Sequence, residues 1–367
     1  MFNSSIINLK DKLQYYLVLL FCVISLSLNG QSKFWSDIAN RLPKSKFYFV
    51  GQGHNNEANT IIEKELLFSL NAKYHVQYDI LENAHSAAFL INQYLQTGKE
   101  IFLKSIDSTA SFNFIKAVKA YNDTISKNKR IRFYGIDFEG RQNGRIAQKA
   151  IEIIFHELKL PESETLHSLL RSIVDCQPKD IESNLLKLKF YLEDNNYKSR
   201  ALLGKYYVDV LLIANAQFNF SPRRDGAMVA NFKRLYDELI RNGEYPSFFA
   251  SFGTAHINPE NNNGIAIKLM NDVRSPIKDS VCIIGIQYFN CLFGKENKSK
   301  TTFGSLDFMC QNSDIEKLAG LQDRKNKLIT FLQKEEFNMS DCNKKIRQLS
   351  GLILAYNFSA TSFWLWE

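Results

Sequence analysis

Short apolar runs alternate along this chain with longer amphipathic segments. The runs are rich in aromatic and β-branched residues and predict five strands, at Phe47–Val50, Val76–Leu81, Arg130–Gly135, Ser247–Phe252 and Val281–Tyr288. The segments between them repeat apolar residues at helical spacing and predict helices at Asn59–Leu70, Ser86–Thr97, Ser111–Ser126 and Gly144–Leu158. Strands separated by helices predict an α/β fold with a mostly parallel central sheet that is flanked by helices.

Two regions depart from this alternation. Residues 161–218 contain no strand pattern and predict a helical insertion, which either caps the ligand edge of the sheet or packs as additional helices. After residue 294 the segments 315–333 and 344–356 have helical spacing and predict a mostly helical C-terminal extension. We therefore expect an α/β domain over residues 31–293, with the insertion at about 161–218, and an extension over residues 294–367.

The first thirty residues have the order of a secretory signal peptide. Lys10 and Lys12 precede an apolar stretch from Leu13 to Leu28, and small or polar residues follow it. Because the stretch is short for a membrane span, we expect cleavage near Gln31 and a periplasmic or secreted protein. An uncleaved anchor is the alternative, and a lipoprotein is disfavoured because Phe21 stands directly before Cys22, where lipoprotein signals have a small residue.

Composition narrows the class of partner. The chain has 367 residues, a net charge of +8 and 45% hydrophobic residues, which is typical of a globular protein. Lysine and arginine are scattered among acidic residues instead of forming a basic stripe with aromatics, so we expect no nucleic-acid partner and a small-molecule or peptide substrate. The membrane is expected as a partner only through an uncleaved signal segment. The cysteines form no CxxC pair, which argues against a structural zinc site.

Four of the predicted strands are followed at once by an ionisable residue: His54, Glu82, Asp137 and His256. The carboxyl ends of parallel strands lie at one edge of a sheet, so these side chains are expected to share one cleft. Such a group suits a histidine base that activates water, or a divalent metal bound by His54, Glu82, Asp137 and His256. Each residue alone has a structural alternative, as a buried histidine with its hydrogen bonds satisfied or as a helix cap.

Two further residues accompany this group. Glu57 lies one helical turn after His54 and is able to orient the imidazole, although an acid in a first turn also suits the helix dipole. Helical spacing aligns Arg224 with Met228 and Asn231. Arg224 is a candidate to bind a substrate carboxylate or an oxyanion, with a buried salt bridge to a strand-end acid as the alternative.

Six short segments occur in one order: Gly51-Gln-Gly-His-Asn-Asn-Glu57, Asp79-Ile-Leu-Glu-Asn-Ala84, Leu90-Ile-Asn-Gln-Tyr-Leu-Gln-Thr-Gly98, Phe133-Tyr-Gly-Ile-Asp137, Arg224-Asp-Gly-Ala-Met-Val-Ala-Asn231 and Ala255-His-Ile257. Together they resemble the erythromycin esterase-like proteins, over about residues 45–290. The wider superfamily includes the ChaN-type haem-binding lipoproteins and the Tiki and TraB proteins. The resemblance implies an α/β core with its cleft at the strand ends.

The resemblance also implies roles for the candidate residues. His54 would be the base that activates water, Glu57 and Glu82 its acidic companions, and Arg224 and His256 further members of the cleft. Two positions depart from the esterase pattern: Gln52 stands where a glutamate is usual, and Gly253 where a second histidine is common. These departures argue against hydrolysis of a macrolide ring.

The two Gly-x-x-His segments are closer to the Tiki-like members, which implies metal-dependent peptide hydrolysis. The expected function is therefore an exported hydrolase that cleaves an ester or amide bond, with either no cofactor or a divalent metal. Two other functions stay open. One is a ChaN-like protein that binds haem or iron through His54, His256 or Tyr134. The other is a non-catalytic exported interaction module.

Overall fold

The computed structural model describes residues 33–54, 56–106, 110–139, 144–216, 224–258, 261–289, 291–293, 299–301, 328–333, 349–356 and 358. Its strands are β1 (Phe47–Gln52), β2 (Tyr78–Leu81), β3 (Arg132–Gly135), β4 (Phe248–Gly253), β5 (Val281–Phe289), β6 (Cys291–Phe293), β7 (Ser299–Thr301), β8 (Leu328–Gln333) and β9 (Gly351–Tyr356). The predicted signal segment lies outside the described residues.

Seven strands form one sheet in the order β3-β2-β4-β1-β5-β9-β8. Every neighbouring pair is parallel except β8 and β9, which are antiparallel. The short strands β6 and β7 pair separately as an antiparallel ribbon. The five strands that the apolar runs predict correspond to β1–β5, so the expected α/β fold with a mostly parallel sheet is confirmed.

Helices cover both faces of the sheet. They are α1 (residues 33–41), α2 (Glu57–Tyr74), α3 (His85–Thr97), α4 (Ile101–Lys104), α5 (Ala110–Thr124), α6 (Arg145–Leu158), α7 (Thr165–Val174), α8 (Ile181–Asp194), α9 (Asn196–Leu203), α10 (Tyr207–Ala214), α11 (Arg224–Arg241), α12 (Thr254–Ile257) and α13 (Ile265–Asn271). Within the described part of the chain, no helix combines the length and the apolar character that crossing a membrane requires.

Strand β1 shows how the two faces are filled. Tyr48 and Val50 point into a core that is shared with α2, α3, α5 and α6, whereas Phe47 and Phe49 point into the core under α11 and α13. All four side chains are buried, and each contributes about 1.5 to 3 kcal/mol of hydrophobic stabilisation. A strand that is buried on both faces needs a continuous apolar run, which is the pattern that predicted β1.

The insertion is helical, as expected, and consists of α7–α10. Its helices pack on α3, α6 and α11, and α10 is tied to α3 by a contact of 2.8 Å between Asp209 Oδ1 and Nε2 of the buried His85. The His85 Nδ1 accepts a hydrogen bond from the backbone N–H of Gly135, so this histidine joins the insertion to the end of β3. These contacts are those of additional packing helices.

The C-terminal region differs from the prediction. Two segments were predicted to be helical, and the described part of each is a strand, β8 or β9. Strand β9 lies inside the main sheet, between β5 and β8. The remainder of both segments lies outside the described residues. The interior residues of β9, Leu352 to Ala355, are all apolar and buried. The helical prediction was wrong because a continuous apolar run looks the same in a buried helix and in a central strand.

The close approach of β3 to the loop after β2 requires a glycine. A Cβ at Gly135 would lie 2.2 Å from the carbonyl oxygen of Ala84, which is backbone and cannot turn aside. We predict that Gly135→Ala lowers the free energy of unfolding by about 2 to 4 kcal/mol in urea unfolding. The control is Gly226→Ala in α11, where the nearest atom is Nζ of Lys268 at 3.8 Å, and a change within about 1 kcal/mol is expected. Equal losses in the two variants would contradict the steric argument.

Candidate functional site

Four strand ends meet at one edge of the sheet. β1 and β4 are neighbours in register, with Gln52 opposite Gly253, so the two Gly-x-x-His segments leave the sheet side by side. β2 lies on the other side of β4, and β3 follows β2. The sheet order therefore brings the residues after β1, β2, β3 and β4 to the same place, as the sequence predicts.

Arg224 joins the acids that follow two of these strands, β2 and β3. Its Nε donates to both carboxylate oxygens of Asp137 at 2.9 and 3.0 Å, and its Nη2 donates to Asp137 and to Oε1 of Glu82, the latter at 3.0 Å. The carboxylates of Glu82 and Asp137 are buried. The sequence left two roles open for Arg224, binding a substrate group or forming a buried salt bridge. The structure contains the salt bridge, in which Arg224 joins two acids instead of one.

Helix α11 carries Arg224 to this position through contacts further along the same face. Met228 and Asn231 are buried, and the Asn231 side-chain amide donates to the carbonyl oxygen of Ile136 at 2.9 Å. The backbone N–H of Asp137 donates to the carbonyl oxygen of Asn83 at 2.9 Å. The end of β3, the loop after β2 and the start of α11 are thereby locked together.

His256 lies in α12, directly after β4, and each of its ring nitrogens faces a carboxylate. Nδ1 is 2.7 Å from Oδ1 of Asp225, and Nε2 is 3.1 Å from Oε1 of Glu82. Burial opposes a charge on the ring, but the hydrogen bonds to Asp225 and Glu82 outweigh it and raise the pKa of His256 to about 9. His256 is therefore an imidazolium at neutral pH and donates from both nitrogens.

Glu82 is the acceptor at the centre of the group. Burial opposes its ionisation, but hydrogen bonds from His256, from the Gly253 backbone N–H at 2.7 Å and from Arg224 lower the pKa of Glu82 to about 2. Arg224 Nη1 lies 3.3 Å from Nε2 of His256, so two cations are in contact. They are held together by the carboxylates of Glu82, Asp137 and Asp225.

Hydrogen bonds to Tyr288 and Asn59 fix the loop that carries His54. The Gly53 N–H donates to the Tyr288 hydroxyl at 3.0 Å, this hydroxyl donates to Asn59 Oδ1 at 2.5 Å, and Asn59 Nδ2 donates to the Gly53 carbonyl at 2.6 Å. This closed ring of hydrogen bonds holds the backbone next to His54. Unlike the Asp-bound His256, the His54 side chain is exposed to solvent.

Gly253 provides the space for the His54 ring. A Cβ at this position would lie 2.7 Å from Nε2 of His54 and 3.5 Å from Oε2 of Glu82, so both groups pack against the same glycine. A side chain at residue 253 would displace the imidazole from its place beside Glu82. Gly253, which departs from the esterase pattern, is thus the residue that leaves room for the His54 ring.

Glu57 is the first residue of α2 and is partly exposed. The helix is capped by Asn56, whose side-chain oxygen accepts a hydrogen bond from the Ala58 N–H at 2.9 Å. This is the position at which a carboxylate suits the helix dipole, and it is also one turn from His54. The proposed role of Glu57 as an acidic companion of the imidazole stays a prediction.

The residues proposed as metal ligands do not fit a divalent ion. A guanidinium cation bridges Glu82 and Asp137, and both ring nitrogens of His256 already face carboxylates. Among the residues that the structure describes, no three His, Cys, Asp or Glu side chains are grouped to hold a metal. Tyr134, proposed as a haem ligand, is buried within β3 and stacks on the His85 ring at 5.4 Å.

The sequence did not assign a role to several residues of this site. Asp225 directly follows Arg224, and its place in the same segment was the available signal. Asn59 and Tyr288 carried no such signal, because the hydrogen bond between them joins residues 229 positions apart.

No protein-family model matches the sequence, and no curated protein matches it significantly. Solved structures do match. A Bacillus cereus protein has a TM-score of 0.56 and 12% identity over 88% of this chain and 91% of its own. A succinoglycan biosynthesis protein has a TM-score of 0.54 and 14% identity, with 88% and 91% covered. Erythromycin esterase EreC, as a histidine-to-asparagine variant in its open conformation, has a TM-score of 0.52 and 10% identity, with 87% and 92% covered.

At these identities the similarity establishes a shared fold. The chain shares its fold with erythromycin esterase EreC and with the other two proteins, and this α/β fold is the one that the resemblance of its six segments implied.

The charge on His256 predicts a pH dependence of stability. Its pKa is about 9 in the folded chain and 6.5 as the ordinary value, so its contribution is complete below pH 6.5 and is lost as the pH rises through 9. The shift corresponds to a contribution on the order of 3 kcal/mol. We predict that the difference in unfolding free energy between the wild type and His256→Gln shrinks over this pH window.

Urea unfolding at several pH values measures this difference. The matched control is His156→Gln, which removes an exposed histidine from α6, outside the site. Its difference from the wild type is expected to stay small across the same window. A His256→Gln difference that does not change with pH would mean that the ring is neutral in the folded protein.

Proposed function

We propose that this protein is an exported hydrolase that cleaves an ester or amide bond with water activated by His54. One observation carries the proposal: the two strand-end histidines have different environments. His54 is exposed to solvent beside Glu82, whereas His256 is held as a cation between Asp225 and Glu82. An imidazole in contact with solvent suits a general base, and a fixed cation suits stabilisation of negative charge.

The proposed reaction needs no group beyond the substrate and water. His54 takes a proton from water while the water oxygen forms a bond to the substrate carbonyl carbon, and the carbonyl oxygen becomes an oxyanion. The C–O or C–N bond to the leaving group then breaks, and the proton on His54 is transferred to the departing oxygen or nitrogen. The products are a carboxylic acid and an alcohol or amine.

In this scheme Arg224 and His256 act on the developing negative charge through their fixed positive charges, while their N–H groups donate to carboxylates. Arg224 and His256 are held by buried carboxylates and do not have to reorganise when the oxyanion forms. Glu82 remains ionised because its pKa is about 2, so it keeps the cation pair in place over the whole neutral range. Glu82 and Arg224 act in this scheme as positioning and electrostatic groups, with Glu57 as a further acidic companion of His54.

The departures from the esterase pattern argue for a substrate other than a macrolide ring. Gln52 is buried, and its side-chain amide donates to the carbonyl oxygen of Ser251 at 3.3 Å, a hydrogen bond that a carboxylate cannot donate. The edge of the sheet therefore carries one carboxylate fewer at this position, and a glycine at residue 253 in place of an imidazole. We propose the same type of hydrolysis with a different substrate.

The test is hydrolysis of a panel of esters and amides by the wild type and by His54→Gln. Loss of a general base predicts a reduction of kcat/KM by a factor of about 100 to 10000 with KM little changed. The matched control is His156→Gln, which is expected to retain wild-type activity. Hydrolysis that survives His54→Gln unchanged would refute the proposed base, and wild-type protein that cleaves none of the panel would refute the hydrolase assignment.

Export is the second part of the proposal. It rests on the charged, apolar and small-residue order of residues 1–30. We predict that a bacterium expressing the whole chain produces a mature form that begins near Gln31, which N-terminal sequencing of the periplasmic or secreted fraction measures. Replacing Leu17 and Leu20 by arginine should retain the precursor in the cytoplasm, and a full-length chain in the exported fraction would contradict cleavage.

A further inference from the structure

A cavity of about 370 Å³ opens beside His256. It is bordered by the start of α11, by α12, by the loop at residues 261–263 and by α13. This volume is at the lower end of those of small-molecule sites and holds a group of several heavy atoms. Because His256 is part of its wall, the cavity adjoins the group of residues proposed to carry out hydrolysis.

The charge of the cavity wall comes from three residues. Asp225 and His256 form an ion pair at 2.7 Å, so their charges oppose each other. Lys268 of α13 also lines the cavity. Among the contacts of the described residues, its Nζ has neither a hydrogen-bond acceptor nor an ion-pair partner, whereas the nearby Lys233 is paired with Asp272 at 2.6 Å. Among the described residues that line the cavity, Lys268 therefore adds one positive charge to the ion pair of Asp225 and His256.

The remaining polar residues of the wall belong to the loop at residues 261–263. The Asn261 side chain is used within the loop, since Nδ2 donates to the Ala255 carbonyl at 2.7 Å and Oδ1 accepts from the Asn263 N–H at 3.1 Å. Asn263 of this loop lines the cavity together with Asp225 and Gly226 at the start of α11. Asn263 and Lys268 thus line the same space. Gly226 has no side chain to fill it, and its Cβ position is 3.8 Å from Nζ of Lys268.

The single positive charge of Lys268 favours an anion with one negative charge over an anion with two. A carboxylate carries one negative charge and matches the single unpaired ammonium of Lys268. A doubly charged phosphate would bring its second charge next to the Asp225 carboxylate, which also lines the cavity. A carboxylate bound at Lys268 would hold the rest of its molecule beside His256, where the scissile bond is proposed to lie.

We propose that this cavity is a subsite for a carboxylate group of the substrate, with Lys268 as the residue that binds it. This inference rests on the proposed hydrolase function and names the substrate class: esters or amides of small acids that carry a second, free carboxylate.

The first experiment compares two esters of equal acyl length. Glutaric acid mono-para-nitrophenyl ester has a terminal carboxylate, and para-nitrophenyl pentanoate has a methyl group in its place. We expect the wild type to prefer the acidic ester by a factor of about ten or more in kcat/KM, as for a hydrogen bond to a charged group. Lys268→Met should abolish the preference by raising KM for the acidic ester alone, and Lys268→Arg should retain it.

The control for loss of charge is Lys278→Met, which changes the net charge equally outside the cavity lining and should leave the preference intact. A wild type without preference for the acidic ester, or a preference that survives Lys268→Met, would overturn the proposed subsite. Equal loss on both esters in Lys268→Met would assign Lys268 a structural role and also overturn it.

The second experiment measures binding without turnover, so that the two proposals fail separately. Calorimetry of glutarate binding should give a dissociation constant that rises about ten-fold or more in Lys268→Met. Lysine-dependent binding of glutarate by a wild type that hydrolyses neither ester would refute the hydrolase function and keep the carboxylate site. Equal binding to wild type and Lys268→Met would refute the site whatever the outcome of hydrolysis.

Discussion

The architecture of the site depends on one buried cation, the guanidinium of Arg224. It bridges the acid after β3 to the acid after β2, and it lies against His256 after β4. Buried carboxylates are costly unless they are paired, and removal of one partner from such a pair typically destabilises a protein by about 3 to 5 kcal/mol. Glu82 and Asp137 can therefore stay charged and buried only while α11 keeps Arg224 in this position.

The same constraint separates the roles of the two histidines. Glu82, kept ionised by Arg224, accepts a hydrogen bond from His256, and the pair of Glu82 and Asp225 raises the pKa of that ring to about 9. The exposed His54 ring packs over Gly253, the glycine against which the Glu82 carboxylate also lies. One acid thus holds the His256 imidazolium in place and packs against the same glycine as the exposed His54 ring.

Much of the fold was accessible from the pattern of residues. The apolar runs located β1 to β5, and their alternation with helices implied a parallel sheet whose strand ends share one edge. The prediction was wrong for β8 and β9, because a short apolar run has no periodicity that distinguishes a buried helix from a central strand. The group of Glu82, Asp137, Arg224 and His256 was expected to converge, and it does so with Arg224 at its centre.

The sequence by itself determined the α/β class and the presence of ionisable residues at four strand ends, because both follow from spacing between near neighbours. The tertiary structure decided that His256 lies between two carboxylates, which acids hold Arg224, and that the guanidinium occupies the place where a metal was considered. The physical reason is that protonation depends on burial and on partners far apart in the chain. The Gly253 N–H and the Glu82 carboxylate, 171 residues apart, meet only when β2 and β4 lie side by side.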